Sequence, residues 1–325
     1  MREITVREAL RESLRYNLAH NDKVFLAGED VSVVGGGMGV SKGLIDEFGE
    51  KRIVDTPISE NAIVGLGIGA ALTGLRPVVE IMYIDFVTCC ADMILNQMAK
   101  IHFIFGGQVK VPMVLKTVSG TSGGNAAQHS NNFYPMFLNT PGLVVMAPST
   151  PYDSKGMFNM AIEDDNPVIF IEHKRIYNIK GHVPEDHYTV PIGVADVKKE
   201  GQDITIVATQ ALVYDALSVA EDMEEEGISI EVIDPRTLNP LDKATIFESV
   251  KKTGRLIIAD ESCLNCGFAS EVASSVAEEM FDYLDAPVVR IGSPDTSAPY
   301  SHPLELEYIP GKEEIREAIK KVKKI

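Results

Sequence analysis

The stretch DTPISENAIVGLGIGAALTG, residues 55–74, places one carboxylate, Glu60, between a proline-containing turn and a run of almost entirely apolar residues. A carboxylate in the first turn of a helix is common, because it interacts favourably with the helix dipole. The same position would leave the carboxyl partly desolvated between a turn and a buried helix, and so suited to sharing a proton. The spacing alone leaves both interpretations open.

A histidine that could act in catalysis, His129, lies in NAAQHSNN, residues 125–132. This segment follows the strand-like PMVLKTV, and loops at the carboxyl ends of parallel strands are where ligands bind in such sheets. A single loop histidine is nonetheless more often a surface residue than a catalyst. The residues alone therefore make His129 a candidate and no more.

Two glycine-rich segments resemble phosphate-binding loops only in part. Residues 65–70, GLGIGA, match G-x-G-x-x-A, but the dinucleotide fingerprint needs its first glycine directly after a strand, and here the glycines fall inside a predicted helix. We instead expect an apolar, buried helix that packs closely against another helix, including one of another subunit. Residues 33–43, VVGGGMGVSKG, fit neither the Walker nor the dinucleotide spacing, which favours a flexible loop.

The four cysteines are too few for a disulfide framework in a chain of this size. Cys263 and Cys266 form a C-x-x-C after the strand-like RLIIAD, where a redox pair would sit, but this spacing recurs by chance. Metal binding would need a second pair of ligands, and none is nearby in the sequence. A redox pair is the less favoured interpretation.

Composition excludes several classes of partner. A formal net charge of -17, from 47 acidic and 30 basic residues, argues against nucleic acid or an anionic membrane surface. The start, MREITVREAL, has no apolar signal region, and the longest apolar run, around residues 62–75, is too short to span a bilayer. We expect a cytoplasmic protein with no nucleic acid or membrane partner.

Short β-rich segments alternate with helical ones along the chain, which predicts mainly parallel sheets covered by helices. Thr5 and Glu8 form a capping box that opens a predicted helix reaching about His20. The polar, proline-containing segment 179–193 interrupts the alternation, which then restarts. We therefore predict an α/β domain at 1–185 and a smaller α/β domain at 186–325. Further helices are predicted at 60–73, 86–100, 151–163, 211–226, 241–253 and 268–283.

The chain resembles the β subunit of the thiamine diphosphate-dependent first component of 2-oxo acid dehydrogenase complexes. The resemblance covers nearly the whole chain and implies a transketolase-like pyrimidine-binding domain followed by a transketolase C-terminal domain. It is carried by a series of ordered segments: GEDV, DTPISE, GLRPVVEIM, DFVTCCADMILNQMAK, NAAQHS, PSTPYDSKG, EDDNPVIFIEHK, VIDPRTLNPLD and LEYIP.

This resemblance implies roles for individual residues. Glu60 matches the glutamate that hydrogen-bonds a ring nitrogen of the cofactor's aminopyrimidine and so promotes deprotonation of the thiazolium carbon, which a buried carboxyl does better than a solvated one. Ile58, Met82 and Phe86 would line the pyrimidine pocket, although each could equally be core packing. His129 matches an active-site histidine that acts on the substrate or on acyl transfer to lipoamide.

The resemblance also implies groups outside the pyrimidine pocket. Glu29 matches an acid that helps to relay protons between paired sites. The chain has no Gly-Asp-Gly followed by Asn-Asn, the motif that binds Mg²⁺ and diphosphate, so a separate α subunit would supply that half of the site in an α2β2 heterotetramer. A structural K⁺ would be held, largely through carbonyl oxygens, at Met113, Ala161, Ile162, Asp164 and Asn166.

Within the family, CCADMILNQMAKIHFIFGG, PSTPYDSKG and FIEHKRIY are most similar to acetoin dehydrogenase β subunits, with pyruvate dehydrogenase next and branched-chain enzymes further away. One departure is DTSAP at 295–299, where Ser297 replaces a common proline. The expected reaction is cleavage of acetoin, or oxidative decarboxylation of a 2-oxo acid such as pyruvate. The acyl-level fragment would pass to lipoamide on the second component. A noncatalytic transketolase-like scaffold subunit is the alternative.

Overall fold

A computed structural model describes residues 2–323, which form two compact units. The first unit consists of the residues up to Ser119 together with Met136–Ile192. The second consists of Gly120–Pro135 and the residues from Gly193 onward. In the sequence, the short segment Gly120–Pro135 therefore lies between the two parts of the first unit, although it belongs to the second. We retain the division into domains of residues 1–185 and 186–325 as a proposal.

The first unit is built on a parallel sheet. Its strands β2 to β7 follow the order β6-β7-β5-β4-β2-β3, and each neighbouring pair is parallel. Strands β1 and β8 form a separate antiparallel pair. The bounds are β1 Arg2–Thr5, β2 Val24–Gly28, β3 Ile53–Asp55, β4 Arg76–Ile81, β5 Val114–Ser119, β6 Val144–Met146, β7 Val168–His173 and β8 Lys180–Val183.

The predicted capping box opens the first helix as expected. The Thr5 hydroxyl accepts the Glu8 N–H, and the Glu8 carboxyl accepts the Thr5 N–H at 2.7 Å. This helix packs on the helix that begins at Pro151, and the three predictions of a helix at 5–20, 60–73 and 151–163 are confirmed. The helices up to residue 163 are α1 Val6–His20, α2 Leu44–Phe48, α3 Glu60–Leu72, α4 Ile101–Ile104, α5 Tyr134–Leu138 and α6 Pro151–Glu163.

Helix α3 is apolar along its length, but only one side of it is buried in the chain. Gly67 faces the sheet, where an added Cβ would lie 2.9 Å from Val79 Cγ1. Gly69 has open space around it, and Leu66 is 45% exposed. Within the single chain, the predicted burial is therefore found on one face only, where helix α3 covers the sheet. Packing of the other face against a helix of another subunit stays a prediction. The glycines do lie inside the helix, as predicted.

The predicted helix at 86–100 is confirmed only in part, because this segment is helical but does not form one continuous α-helix. A 3₁₀ helix spans Ile84–Cys90, a π-helical turn spans Met93–Met98, and α4 begins only at Ile101. Ile84, Val87 and Cys90 are all buried, and their spacing of three residues matches the three residues per turn of a 3₁₀ helix. Burial of these three side chains on one face therefore favours a 3₁₀ helix over an α-helix.

The second unit is a smaller α/β arrangement, which confirms that prediction. Its strands follow the order β14-β13-β10-β11-β9, with only β9 antiparallel to its neighbour. Within residues 2–323, no helix is both long and apolar enough to cross a membrane. The bounds are β9 Asp196–Lys199, β10 Ile204–Ala208, β11 Ile230–Asp234, β12 Thr237–Asn239, β13 Leu256–Cys263, β14 Val289–Ser293, α7 Ala211–Glu225, α8 Lys243–Thr253, α9 Phe268–Glu279, α10 His302–Tyr308 and α11 Lys312–Lys323.

Candidate functional site

The carboxyl ends of adjacent parallel strands in the first unit gather most of the residues predicted to contact the cofactor. Glu29 directly follows β2, and Glu60 opens α3 shortly after β3. Met82 directly follows β4, and Phe86 lies in the 3₁₀ helix after it. Since β3, β2 and β4 are neighbours and parallel, these strand ends share one edge of the sheet, where ligands bind in folds of this kind.

Glu60 has a partly buried side chain, and its carboxyl accepts no hydrogen bond from any described residue of the chain. Burial raises the pKa of Glu29, and the negative charges of Glu60, Asp30 and Glu80 raise it further. Burial, followed by the charge of Glu60, raises the pKa of the Cys90 thiol to about 12. Glu60 thus lies near other carboxyls and a neutral thiol, with hydrogen-bonding capacity left for an external group.

The residues predicted to line a pyrimidine pocket differ in exposure. Met82 and Phe86 are partly buried, and the Phe86 ring meets the Tyr83 ring edge-on at 6.0 Å between centroids. The Lys174 ammonium lies 4.7 Å from the centroid of the Tyr83 ring. Ile58 is 81% exposed, so this large apolar side chain is available to another group. Core packing therefore does not account for Ile58.

The glycine-rich loop, residues 33–43, is held by hydrogen bonds to residues outside it. Arg7 Nε of α1 donates to the Met38 carbonyl at 2.7 Å, and Arg11 Nη2 donates to the Gly39 carbonyl at 2.6 Å. The Ser41 hydroxyl donates to the Val31 carbonyl at 2.7 Å. The sequence favoured a flexible loop, whereas the structure shows a loop whose backbone is hydrogen-bonded at several points.

A buried ion-pair network, which the sequence analysis missed, contacts this loop. Lys116 Nζ lies 3.0 Å from a Glu80 oxygen and 3.1 Å from a Glu172 oxygen, and the Tyr177 hydroxyl donates to Glu172. The Glu80 carboxyl also accepts the Gly37 N–H at 2.7 Å. The available signal was one Glu or Lys inside each of three mostly apolar strands, VVEIM, VLKTV and IFIEH.

His129 belongs to the second unit, because it lies in the segment Gly120–Pro135. Two carboxylates of the second unit hold this segment. Glu261 accepts the Thr121 N–H at 2.6 Å, and Glu305 accepts the Gly124 N–H at 2.8 Å. The His129 side chain is partly buried. The loop that carries the histidine therefore has its backbone fixed by buried acids, which no local sequence pattern indicated.

The residues predicted to hold a monovalent cation lie where α6 ends and β5 begins: Met113, Ala161, Ile162, Asp164 and Asn166. The Arg76 guanidinium donates to the carbonyls of Ile162 and Asp164 at 3.0 and 2.8 Å. Each carbonyl oxygen has a second lone pair, and carbonyl oxygens are ligands that hard cations accept. Within residues 2–323, no cluster of three or more His, Cys, Asp or Glu side chains could hold a metal ion.

All four cysteines are free thiols, and Cys263 and Cys266 are both exposed. Burial raises the pKa of the Cys263 thiol, and the charge of Asp295 raises it further. A raised pKa lowers the thiolate fraction and hence the reactivity of a cysteine. The raised pKa of Cys263 therefore gives no support to a redox pair at this position.

Comparison with known proteins agrees with this fold. The family model of the transketolase pyrimidine binding domain matches residues 2–180, and that of the transketolase C-terminal domain matches residues 193–315. A split-gene transketolase, in an inactive β4 tetramer, superimposes with a TM-score of 0.81 at 23% identity and covers 98% of each chain. This likeness shows the fold.

Two relatives are similar over nearly their whole length. The chain is 45% identical to the β subunit of acetoin:2,6-dichlorophenolindophenol oxidoreductase from Bacillus subtilis (strain 168), over 97% of this chain and 95% of that one. It is 43% identical to the β subunit of the pyruvate dehydrogenase E1 component from Rickettsia conorii, over 98% of each. These matches confirm the predicted resemblance, and the chain belongs to the family of transketolase-like β subunits of acetoin and 2-oxo acid dehydrogenases.

Proposed function

We propose that this chain is the catalytic β subunit of a thiamine diphosphate-dependent first component that acts on acetoin. A 2-oxo acid such as pyruvate is the alternative substrate. The observation that carries the proposal is Glu60, whose partly buried carboxyl lies at the ligand-binding edge of the sheet without a hydrogen bond from the described chain. The name of the B. subtilis relative supports acetoin, and that of the Rickettsia relative supports the alternative.

Thiamine diphosphate, when bound, supplies an acidic thiazolium carbon that allows cleavage of a carbon–carbon bond next to a carbonyl. In our proposal, Glu60 holds a proton and hydrogen-bonds the aminopyrimidine, and Glu29 helps to relay protons between paired sites. Partial burial favours this role, because hydrogen bonds are stronger where water is excluded. Ile58, Met82 and Phe86 pack against the pyrimidine ring, and His129 acts on the substrate or on acyl transfer to lipoamide.

An α subunit completes the site in this proposal, by holding Mg²⁺ and the diphosphate in an α2β2 heterotetramer. A lipoyl-bearing second component receives the fragment. The relatives are named as β subunits, which supports an α partner. The exposed apolar side of α3, which contains Leu66, Gly69 and Leu72, is the surface that we assign to a neighbouring subunit. Its small residues would let a partner helix approach closely.

The test compares two variants in the complex of this chain with its α subunit. Glu60→Gln removes the proposed proton-sharing group, and Glu271→Gln removes the first-turn carboxylate of α9 as a matched control. We expect Glu60→Gln to lower thiamine diphosphate-dependent turnover of acetoin by about 10²-fold or more, with assembly unchanged. Glu271→Gln should keep turnover.

Activity of the unaltered complex on acetoin, pyruvate and branched 2-oxo acids, with an artificial electron acceptor, decides the substrate. Full activity of Glu60→Gln would show that its assigned role is wrong. No activity of a well-formed unaltered complex on any of these substrates would favour the scaffold alternative.

The structural K⁺ also stays a proposal, which rests on the family resemblance. The carbonyls of Ile162 and Asp164 accept hydrogen bonds from Arg76, and each keeps one lone pair for a cation. A cation bound only by the folded chain stabilises it by mass action. We expect the thermal unfolding midpoint to be higher in KCl than in choline chloride at equal ionic strength. Identical midpoints at all concentrations would count against a K⁺ site.

A further inference from the structure

We infer that Glu80 is a positioning residue for the cofactor pocket: together with Lys116 and Glu172, it fixes the glycine-rich loop against Met82. This inference rests on the proposed function, in which Met82 contacts the pyrimidine ring. It assigns a role to a buried charged network beyond the effect that the charge of Glu80 has on the pKa of Glu29.

The loop is fitted closely around the Glu80 carboxylate. The Gly37 N–H donates to Glu80 Oε1 at 2.7 Å, which is a charge-assisted hydrogen bond. Gly36 has a φ of +74°, and a Cβ at this position would overlap both oxygens of the Glu80 carboxyl. Only glycine therefore allows the backbone to pass so close to the acid.

The sheet fixes the position of Glu80. Glu80 on β4 and Lys116 on β5 are direct partners in the parallel register, so their side chains point to the same face. On β7, Phe170 pairs with Lys116, and Glu172 lies two residues further on the same face. Lys116 thus sits between the two acids, and both Glu80 and Lys116 are at most 2% exposed.

Burial makes this arrangement resistant to displacement. Removing one partner of a buried ion pair leaves an uncompensated charge in the protein interior, which is strongly unfavourable. Glu80 therefore cannot follow the loop outward without breaking its contact with Lys116. The consequence is that the backbone at Gly37 is held at a defined depth above the sheet.

Met82 lies two residues after Glu80 and contacts the same part of the loop. A Cβ at Gly37 would lie only 2.7 Å from Met82 Cγ, so the loop backbone packs directly on this side chain. Any outward movement of the loop would open space beside Met82 and change the shape of the proposed pocket wall. The network therefore acts on the cofactor through the loop and Met82, without touching it.

The first experiment compares Glu80→Gln with Glu231→Gln in the complex with the α subunit. Glu231 is a matched control, because it is equally buried on a parallel strand of the second unit, pairs with Lys252, and accepts the Gly201 N–H. Trypsin cleavage after the exposed Lys42 reports on opening of the loop. We expect Glu80→Gln to increase this cleavage rate about tenfold or more, and Glu231→Gln to leave it unchanged.

The second readout is the KM for thiamine diphosphate. We expect Glu80→Gln to raise this KM more than it lowers kcat, because the pocket wall is displaced while Glu60 is retained. Equal cleavage after Lys42 in Glu80→Gln, Glu231→Gln and the unaltered chain would overturn the positioning role. Faster cleavage with an unchanged KM would overturn the link to the pocket. Trypsin cleavage after Lys42 is measured without substrate turnover. It therefore tests the loop even if the proposed function is wrong.

A second pair of variants tests the same inference if Glu80→Gln does not fold. Gly36→Ala and Gly39→Ala introduce similar backbone strain, since the two φ angles are +74° and +72°. Only the new Cβ at residue 36 would meet the Glu80 carboxyl, whereas that at residue 39 lies 3.9 Å from Arg7 Cδ. Gly36→Ala should therefore accelerate cleavage after Lys42 more than Gly39→Ala does, and equal rates would contradict the inference.

Discussion

Gly67 and Gly69 lie two residues apart in α3, and we expect opposite effects when each is replaced by alanine. Alanine favours a helix over glycine by about 1 kcal/mol at either position. Nothing within the described chain lies within 4 Å of a Cβ added at Gly69, so this gain should be kept in the isolated subunit. A Cβ added at Gly67 would lie 2.7 Å from Met113 Cε and 2.9 Å from Val79 Cγ1.

The two contacts at Gly67 differ in how easily they are relieved. The end of the Met113 side chain can rotate away, whereas Val79 is β-branched and lies in a strand with neighbours on both sides. Overpacking of this kind costs about 1–3 kcal/mol, so Gly67→Ala should lose up to about 2 kcal/mol after the helix gain. The two variants should therefore differ by roughly 1–3 kcal/mol.

Amide hydrogen exchange of residues 60–72 measures this difference, because it reports local opening in a chain whose two units need not unfold together. A gain of 1 kcal/mol in Gly69→Ala should slow exchange about fivefold, and Gly67→Ala should accelerate it. Exchange in Gly67→Ala as slow as in Gly69→Ala would refute the reasoning, since the sheet would then have absorbed the methyl group without cost.

Two further predictions concern the start of α1 and the adjacent cysteines Cys89 and Cys90. Thr5→Ala should lower the free energy of unfolding by about 1 kcal/mol while Thr5→Ser retains it, as measured by urea unfolding, because only serine keeps the capping hydroxyl. The pKa of Cys90 is raised to about 12, so its contribution to stability is complete below the thiol's unfolded pKa and is lost as the pH rises toward 12. Accordingly, iodoacetamide at mildly alkaline pH should alkylate the exposed Cys89 and leave Cys90 unmodified in peptide mass spectra, and equal labelling would contradict this environment.

Local signals account for the parts of the fold that the sequence predicted well. The capping box of Thr5 and Glu8 depends on two residues three apart, and it appears as expected. The assignment of Gly65 and Gly67 to the inside of a helix also followed from local order, because no strand directly precedes them. Features of this kind require no knowledge of distant residues.

Features set by distant residues could not be predicted. The 3₁₀ and π geometry between residues 84 and 98 depends on which side chains the sheet buries. The fixed loop at Gly37 depends on Glu80, and Glu80 depends on Lys116 of the next strand. The residues alone made Glu60 and His129 candidates and the family resemblance supplied their roles, but neither gave any indication of the buried acids that hold the His129 segment.

The noncontiguous composition of the second unit has a consequence for synthesis of the chain on the ribosome. The segment that carries His129 emerges early, whereas Glu261 and Glu305, which hold its backbone, emerge much later. Domains generally fold as units and from the N-terminus during translation, but this segment must wait for most of the chain. The loop that carries His129 is thus among the last parts to be fixed. In a nascent chain interrupted before residue 305, this loop would lack its hydrogen bond to Glu305.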